Sequence, residues 1–357
     1  RNCGKETIYF ICQTCGMKTE KRNFCPECEQ IFSFDKCPQH LKAQSFSNRR
    51  IDIKNYFEAA IKHLDLHKGD VPPLIKGVRG TSSANHCLEN LSKGFLRSVF
   101  GLNVNKDGTI RYDITELPIT HFKPKEIDVE LEDLKALGYL RDIKGHALED
   151  EDQILEIKPH DIILPSCPES PDEKADDVFV RIANFVDSML VRVYKMKPFY
   201  NVKDRDDLLG HLVSCIAPHN SACVVGRIIG FSKTQSLLAS PYMHAAMRRD
   251  CDGDEAAVML ILDMLINFSK EFLPSHRGGT QDAPLVLNVR IRAGEVDDMI
   301  FDVDVFKRNS LELYYAAEKM QPPFSVKMEQ IRDRLGQNEF TGLAYTHETN
   351  DFNSGVL

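Results

Sequence analysis

Six consecutive residues, Asp250-Cys251-Asp252-Gly253-Asp254-Glu255, hold the densest reactive chemistry in this 357-residue sequence. In an extended backbone, aspartates at alternate positions put their carboxylates on one side. Gly253 leaves room for a tight bend between two of them. Carboxylates gathered this closely repel unless solvent or a cation relieves them. The hard, oxygen-seeking Mg²⁺ suits such a set, held by one or two carboxylates together with waters and substrate phosphates. Asp252 and Asp254, with Asp250, are therefore candidate catalytic metal ligands. Arg248 and Arg249, directly upstream, are candidates for phosphate or template contacts. A calcium EF-hand loop is excluded by spacing: its sixth and twelfth positions, counted from Asp250, are Glu255 and Ile261 instead of Gly and Glu. The competing reading is a solvated acidic turn. Against it stands the apolar run Ala256 to Leu262, which sets the loop against a packed interior.

The second reactive pattern is Cys12-x2-Cys15 followed by Cys25-x2-Cys28. Each pair places two thiolates on one turn, and two such turns supply the tetrahedral sulfur set that structural Zn²⁺ prefers. Cys37 and His40, with Cys3, suggest a second zinc site, against the alternative that they are incidental. Which turns share which ion stays open at this level. Paired spacing favours metal over disulfides for the eleven cysteines.

The elements that must hold these groups are those of an ordinary globular chain: 42% hydrophobic and 27% charged residues. The net charge of −8 argues against a uniformly basic nucleic-acid binder. Yet residues 1–50 carry nine Lys/Arg against five Asp/Glu, a local balance of +4 that leaves −12 for the remainder. Phosphate contacts depend on such local charge. The apolar run Ala256 to Ile266, broken by Asp263, is shorter than the roughly 20 residues that span a bilayer. No secretory signal is visible, so the expectation is a cytoplasmic protein without a membrane partner. Opening on Arg1 rather than Met, the chain reads as part of a longer subunit.

Residues 1–45 read as a zinc-binding module and 46–125 as a mixed α/β region. In the latter a helix runs through Tyr56 to Ile61, a basic strand-turn over Leu74 to Gly80 offers Lys76 and Arg79 to phosphates, and Asn105 to Thr109 forms a hairpin turn. Residues 126–200 form an acidic region: a helix over Asp128 to Leu137, strands at Gln153–Ile157 and Asp161–Leu164, a linker at 168–177, and a helix from Val178 to Tyr194 with Val178, Ile182, Phe185 and Leu190 inward. Residues 201–305 read as the catalytic region. There a helix over Leu208 to Val213 leads to Ala217-Pro218-His219, a β-rich run extends from Cys223 to Phe231 with Gly226 and Gly230 at close crossings, and a helix from Glu255 reaches Phe272. His219 is a candidate substrate contact. Like His244, it competes with an ordinary core role. Pro284 to Val289 reads as a strand, and 306–357 as the start of a C-terminal helical region.

Asp250-Cys251-Asp252-Gly253-Asp254 resembles the metal-binding loop of double-psi β-barrel polymerases. The wider context resembles the large subunit of the archaeal D-family DNA polymerases: His244-Ala245-Ala246, Arg248-Arg249, Gly226 to Phe231, Arg277-Gly278-Gly279, Ile75 to Gly80 and Asp107 to Arg111. In the resembled pattern Asn stands where this chain has Asp250. The resemblance covers nearly the whole chain. It implies an α+β multidomain protein with a double-psi β-barrel catalytic core, a zinc-ribbon module and flanking helices. It also implies two-Mg²⁺ nucleotidyl transfer from dNTP to a primer 3′-hydroxyl on template DNA. A small subunit partner, carrying the main 3′–5′ exonuclease of the complex, belongs to the same expectation. The rivals are an RNA-polymerase-like barrel nucleotidyltransferase and a non-catalytic zinc-ribbon nucleic-acid scaffold.

Overall fold

The computed structural model describes residues 3–45, 47–48, 50–77, 89–105, 107–218, 222–267, 286–287, 298–304, 309–335, 341–343 and 351–354. The chain divides into two compact units. One comprises residues 1–109, 185–199 and 269–284; the other comprises 110–184, 200–268 and 285–357.

In the first unit, strands β1 (Asn23–Phe24) and β2 (Ile31–Phe32) pair antiparallel within the cysteine-rich segment. Helix α1 (Ile53–Leu64) starts where Asp52 accepts the Asn55 N–H, and it buries Tyr56, Ala60 and Leu64 at helical spacing. Helix α2 (Leu91–Val99) is capped by Asn90 and carries the buried Arg97. That guanidinium is paired bidentately with Glu89, and it also donates to the Lys76 and Gly108 carbonyls. The Tyr56 hydroxyl accepts the Ile8 N–H, and its ring meets Tyr9 edge-on, so the cysteine-rich segment is packed on α1. Residues 74–77 are not a strand, contrary to the sequence expectation. Their carbonyls serve α2 instead: Ser98 donates to Leu74 and Arg97 to Lys76.

The second unit is built on a closed barrel. In chain order its elements are β3 (Tyr112–Pro118), β4 (His121–Phe122), α3 (Leu131–Ala136), β5 (Leu155–Glu156), β6 (Asp161–Pro165), α4 (Ala175–Arg192), β7 (Leu212–Ile216), β8 (Ala222–Ser232), β9 (Leu237–Ala239), α5 (Pro241–Met247), β10 (Glu255–Leu260), α6 (Ile261–Asn267), β11 (Val286–Leu287), α7 (Leu311–Glu318) and α8 (Ile331–Arg334). Helix α4 runs on past residue 184 into the segment grouped with the first unit. The strand order β8-β6-β9-β3-β10-β7 returns to β8, which closes six strands with mixed parallel and antiparallel pairings. Strands β3 and β6 come from upstream of residue 201, so the barrel draws on more chain than the 201–305 region. No helix among the described residues is long and apolar enough to cross a membrane.

Two segments expected to be helical take part in the barrel as strands. Ala256 to Leu260 is β10, with every one of these residues fully buried between β3 and β7. A strand covered on both faces loses the polar alternation that marks half-buried strands, and its sequence then reads like a buried helix. Among the described residues of that run, Ile261–Asn267 is helical, and 268–272 lie outside the described residues. Similarly, Leu212 and Val213 begin β7, preceded by a short 3₁₀ turn at Asp206–Leu208. The turn at Asn105 to Thr109 closes by the Gly108 N–H to Asn105 carbonyl bond, with β3 following alone instead of a hairpin. Val178, Ile182, Phe185 and Leu190 are all buried on α4, as the periodicity requires.

The glycines of β8 sit where the barrel wall is crowded. A side-chain carbon on Gly230 would lie 2.9 Å from Ile127 Cβ and 3.0 Å from its carbonyl oxygen, and one on Gly226 would lie 3.2 Å from Cys215 Sγ. The Phe231 N–H donates to that Ile127 carbonyl, so the close approach is also a hydrogen-bonded one.

Candidate metal centres

The acidic loop is produced by a helix that stops and a strand that starts. Ser240 accepts the Tyr242 N–H, and Pro241 opens α5, a common pairing of cap and first residue. Arg248 ends the helix in the left-handed conformation at φ 66°, with its N–H on the Ala245 carbonyl, while the Arg249 N–H reaches the His244 carbonyl. Cys251 (φ 67°) and Gly253 (φ 103°) then turn the chain twice more before β10 begins at Glu255. The aspartates therefore converge through left-handed turns, not through the extended alternation expected from their spacing.

Their ligand atoms meet those of a fourth carboxylate, Glu116: one oxygen from each of Glu116, Asp250, Asp252 and Asp254 lies within 4.8 Å of the others. Glu116 comes from β3, some 130 residues upstream. There it occupies an inward position in register with the buried Ile114. An acidic residue in an inward slot of a barrel strand is the signal that would have found it, had Tyr112 to Pro118 been read as a strand. The Glu116 N–H donates to the Asp254 carbonyl over 3.0 Å, and His244 Nδ1 of α5 lies 2.9 Å from Glu116 Oε2.

Four carboxylates meet a single described guanidinium contact. Arg249, only 8% exposed, meets Asp254 Oδ2 at 3.0 Å and donates to the Glu255 and Arg248 carbonyls, so it braces the loop instead of facing solvent. Like charges about 4 Å apart repel by about 4 kcal/mol at an effective dielectric of about 20. The Arg249 guanidinium pairs with Asp254, one of the four carboxylates. Burial, the Asp250 hydrogen bond and the neighbouring carboxylates together hold Asp254 above the ordinary carboxylate range, against the pull of Arg249. Burial, then the charges of Glu116, Asp250 and Asp252, push the Cys251 thiol far up. Asp250 Oδ1 and both Glu116 oxygens are buried without a hydrogen bond in the structure. Partnerless buried oxygens in an all-carboxylate set fit a hard divalent cation.

The cysteines form two groups, divided differently from the two C-x2-C turns acting together. Cys25, Cys28, Cys37 and His40 bring their ligand atoms within 4.8 Å of one another, and so do Cys3, Cys12 and Cys15. In the first group Cys28 and Cys37 sulfurs are 3.8 Å apart, and His40 Nδ1 lies 3.6 Å from Cys25 and 3.7 Å from Cys37. A Zn–S bond of about 2.3 Å gives a tetrahedral edge of about 3.8 Å. The set therefore fits zinc without rearrangement. The reason is topological: pairing of β1 with β2 folds Cys25 and Cys28 back toward the turn at Cys37 to His40. In the second group burial raises the Cys12 thiol, but the N–H groups of Cys15 and Thr14 and the adjacent thiols outweigh it and bring it down to about 7. A thiol lowered in this way suits metal ligation, whereas Cys15 of the same group is raised, the Met17 N–H being outweighed by its neighbouring thiols.

Lys76 belongs to the first unit and donates to the Asn103 side chain. Arg79, His219, and the Arg277-Gly278-Gly279 stretch lie outside the described residues. His244, weighed as a core histidine, is indeed fully buried, yet its ring faces the acidic group.

A closed six-stranded barrel carries converging carboxylates at a helix-to-strand turn, and the cysteine-rich segment gathers Cys25, Cys28, Cys37 and His40 into one potential metal-binding group. The chain belongs to the family of the DNA polymerase II large subunit DP2, catalytic domain, whose model matches residues 69–357. It is 45% identical to the DNA polymerase II large subunit of Archaeoglobus fulgidus, over 99% of this chain and 30% of that protein. It is 42% identical to that of Nanoarchaeum equitans (99% and 32%) and 41% identical to that of Pyrococcus furiosus (99% and 28%). The chain thus spans about 30% of the length of these curated relatives.

Proposed function

We propose that this chain is the catalytic portion of an archaeal replicative DNA polymerase, adding nucleotides from dNTPs to a primer 3′-hydroxyl on template DNA. The observation that carries the reading is the convergence of Asp250, Asp252 and Asp254 with a buried glutamate on a closed barrel. Family membership supports it, and so does the mixed strand pairing, which is compatible with a double-psi barrel. Asp252 and Asp254 are the ligands proposed for two Mg²⁺ ions. Bound there, the ions would lower the pKa of the attacking hydroxyl and offset the triphosphate charge. The chain's own work is positioning: Asp252 is exposed at the turn, where a phosphate can approach, while Arg249 holds Asp254 and the entry to β10 in place. Phosphoryl transfer asks little covalent chemistry of the protein beyond such placement. Arg248, Lys76, Arg79 and His219 remain proposed contacts for DNA or nucleotide. The Cys/His module is proposed to hold structural Zn²⁺ and, with residues 42–50, to support duplex DNA.

The name "large subunit" carried by the relatives supports a small-subunit partner, with exonuclease activity a property of the complex. The test is single-turnover incorporation by the complete two-subunit enzyme. Asp252→Asn should cut dNTP incorporation by about a hundredfold or more, the scale of losing a preorganised charge at a reacting centre, with DNA affinity unchanged. Near-normal incorporation by that variant would remove the loop from the active site. Equal use of NTPs would favour the RNA-polymerase-like alternative.

A further inference from the structure

The geometry points to Glu116 as a fourth carboxylate of the metal site, set in place by His244 as its positioning residue. This inference rests on the proposed cation binding at Asp252 and Asp254, and it adds a residue that lies outside the D-x-D-G-D loop. Four carboxylates together are not in themselves a site. The second observation is the state of Glu116: it is 2% exposed, its Oε1 is buried with no hydrogen-bond partner, and its carboxylate lies within 4.8 Å of the aspartate oxygens. A buried carboxylate oxygen left in this condition is costly, and a cation among the four oxygens satisfies it.

Two main-chain and side-chain links hold it there. The Glu116 N–H donates to the Asp254 carbonyl, so the glutamate cannot move along β3 without moving the loop. On the other side His244 Nδ1 stands 2.9 Å from Oε2, both side chains being fully buried. The contact is close but not aligned as a hydrogen bond, so it holds the carboxylate by steric proximity. His244 reaches the loop a second way, its carbonyl accepting the Arg249 N–H. One residue of α5 thus sets both the approach of the arginine that braces Asp254 and the carboxylate behind it. A site whose ligands are supported from behind in this manner keeps its geometry when the substrate arrives.

The experiment uses the full-length large subunit bound to its small subunit, with Mn²⁺ as the probe followed by electron paramagnetic resonance. DNA binding and thermal unfolding are measured in parallel. Glu116→Gln keeps the volume and removes the charge. It should weaken Mn²⁺ binding about tenfold or more, raise by a similar factor the Mg²⁺ needed for half-maximal incorporation, and leave DNA affinity unchanged. His244→Ala should weaken Mn²⁺ binding in the same direction, with His244→Asn recovering part of the loss. The double variant should bind no more weakly than Glu116→Gln alone. If Glu116→Gln is poorly folded, Glu116→Met serves, since it also removes the charge at similar volume, and a normal Mn²⁺ affinity in either folded variant overturns the role of Glu116. Fully additive losses in the double variant overturn the positioning role of His244. Asp252→Asn separates the two levels: Mn²⁺ binding that survives it overturns the underlying function, whereas its loss beside normal binding in Glu116→Gln overturns only this inference.

Discussion

The N–H of Glu116 donates to the carbonyl of Asp254 over 3.0 Å, joining a strand and a turn that lie far apart in the sequence. The loop that looks self-sufficient in sequence is therefore one wall of a site whose other wall is β3. The same bond makes the aspartates unequal. Asp254 is tied to β3 by its carbonyl and to Arg249 by its carboxylate, Asp252 is exposed, and Asp250 is half-buried with one partnerless oxygen.

From that inequality, Asp250→Asn should be the mildest of the three loop substitutions. The new amide can still hydrogen-bond the Asp254 carboxylate, and it removes one source of repulsion on it. Incorporation should fall by no more than about tenfold, while Asp254→Asn, losing a proposed ligand and the Arg249 pair together, should fall by about a hundredfold or more. Single-turnover incorporation in the two-subunit enzyme measures both. A greater loss in Asp250→Asn than in Asp254→Asn would reverse the assignment.

The grouping of the cysteines has its own readout. Cys37→Ser should lower the zinc content by one ion per chain, because Cys37 shares its group with Cys25, Cys28 and His40. Such a loss takes with it the metal's contribution to folding of the module. Cys12→Ser should leave that ion in place. Metal analysis of the purified proteins, together with protease sensitivity of the first 45 residues, decides the matter. Retention of the Cys25 group's ion in Cys37→Ser would refute the pairing.

Much of this was legible in the residues alone, and the misses have a common cause. The reactive loop, the cysteine turns, helix α4 and strand β8 with its glycines all depend on local chemistry or periodicity, which a sequence displays directly. Glu116 is invisible by itself, because its meaning comes from a barrel register that pairs Thr115 with Glu255. Ala256 to Leu260 misread as helix because burial on both faces erases alternation. Arg249 read as a phosphate contact because charge in sequence does not reveal which way a side chain turns. In the structure it turns inward, to Asp254.

Gly230→Ala tests the crowding of the barrel wall. The added methyl would meet Ile127 at its Cβ and carbonyl as well as at its flexible Cδ1, so trimming the side chain does not make room. The cost should be about 1–3 kcal/mol, the range for overpacking a filled interior. Chemical denaturation should show it, and Ile127→Val should fail to restore it. Full rescue by Ile127→Val would mean that only the tip of that side chain is in the way.

The last prediction concerns the alkaline limit of the strand that carries Glu116. Tyr112 begins β3, and its hydroxyl donates to the Glu173 carbonyl over 2.7 Å. Burial, then the charges of Asp172, Asp176 and Glu173, push the phenol up to about 12 from an ordinary value of 10.0. A raised pKa means that the folded state keeps this proton longer than the unfolded chain does. The resulting stability is fully present below pH 10 and is lost as pH rises to about 12. Tyr112→Phe lacks both the hydroxyl and its titration. It should be less stable than the wild type near pH 8, by about 1 kcal/mol for the lost hydrogen bond. The difference should shrink as pH rises above 10 and then reverse sign by pH 12, because only the wild type gives up this contribution there. Urea unfolding of both proteins across that window, with other tyrosines and lysines common to the two, isolates the effect. A stability difference that stays constant from pH 8 to 12 would show that Tyr112 titrates like an exposed phenol and places no alkaline limit on β3.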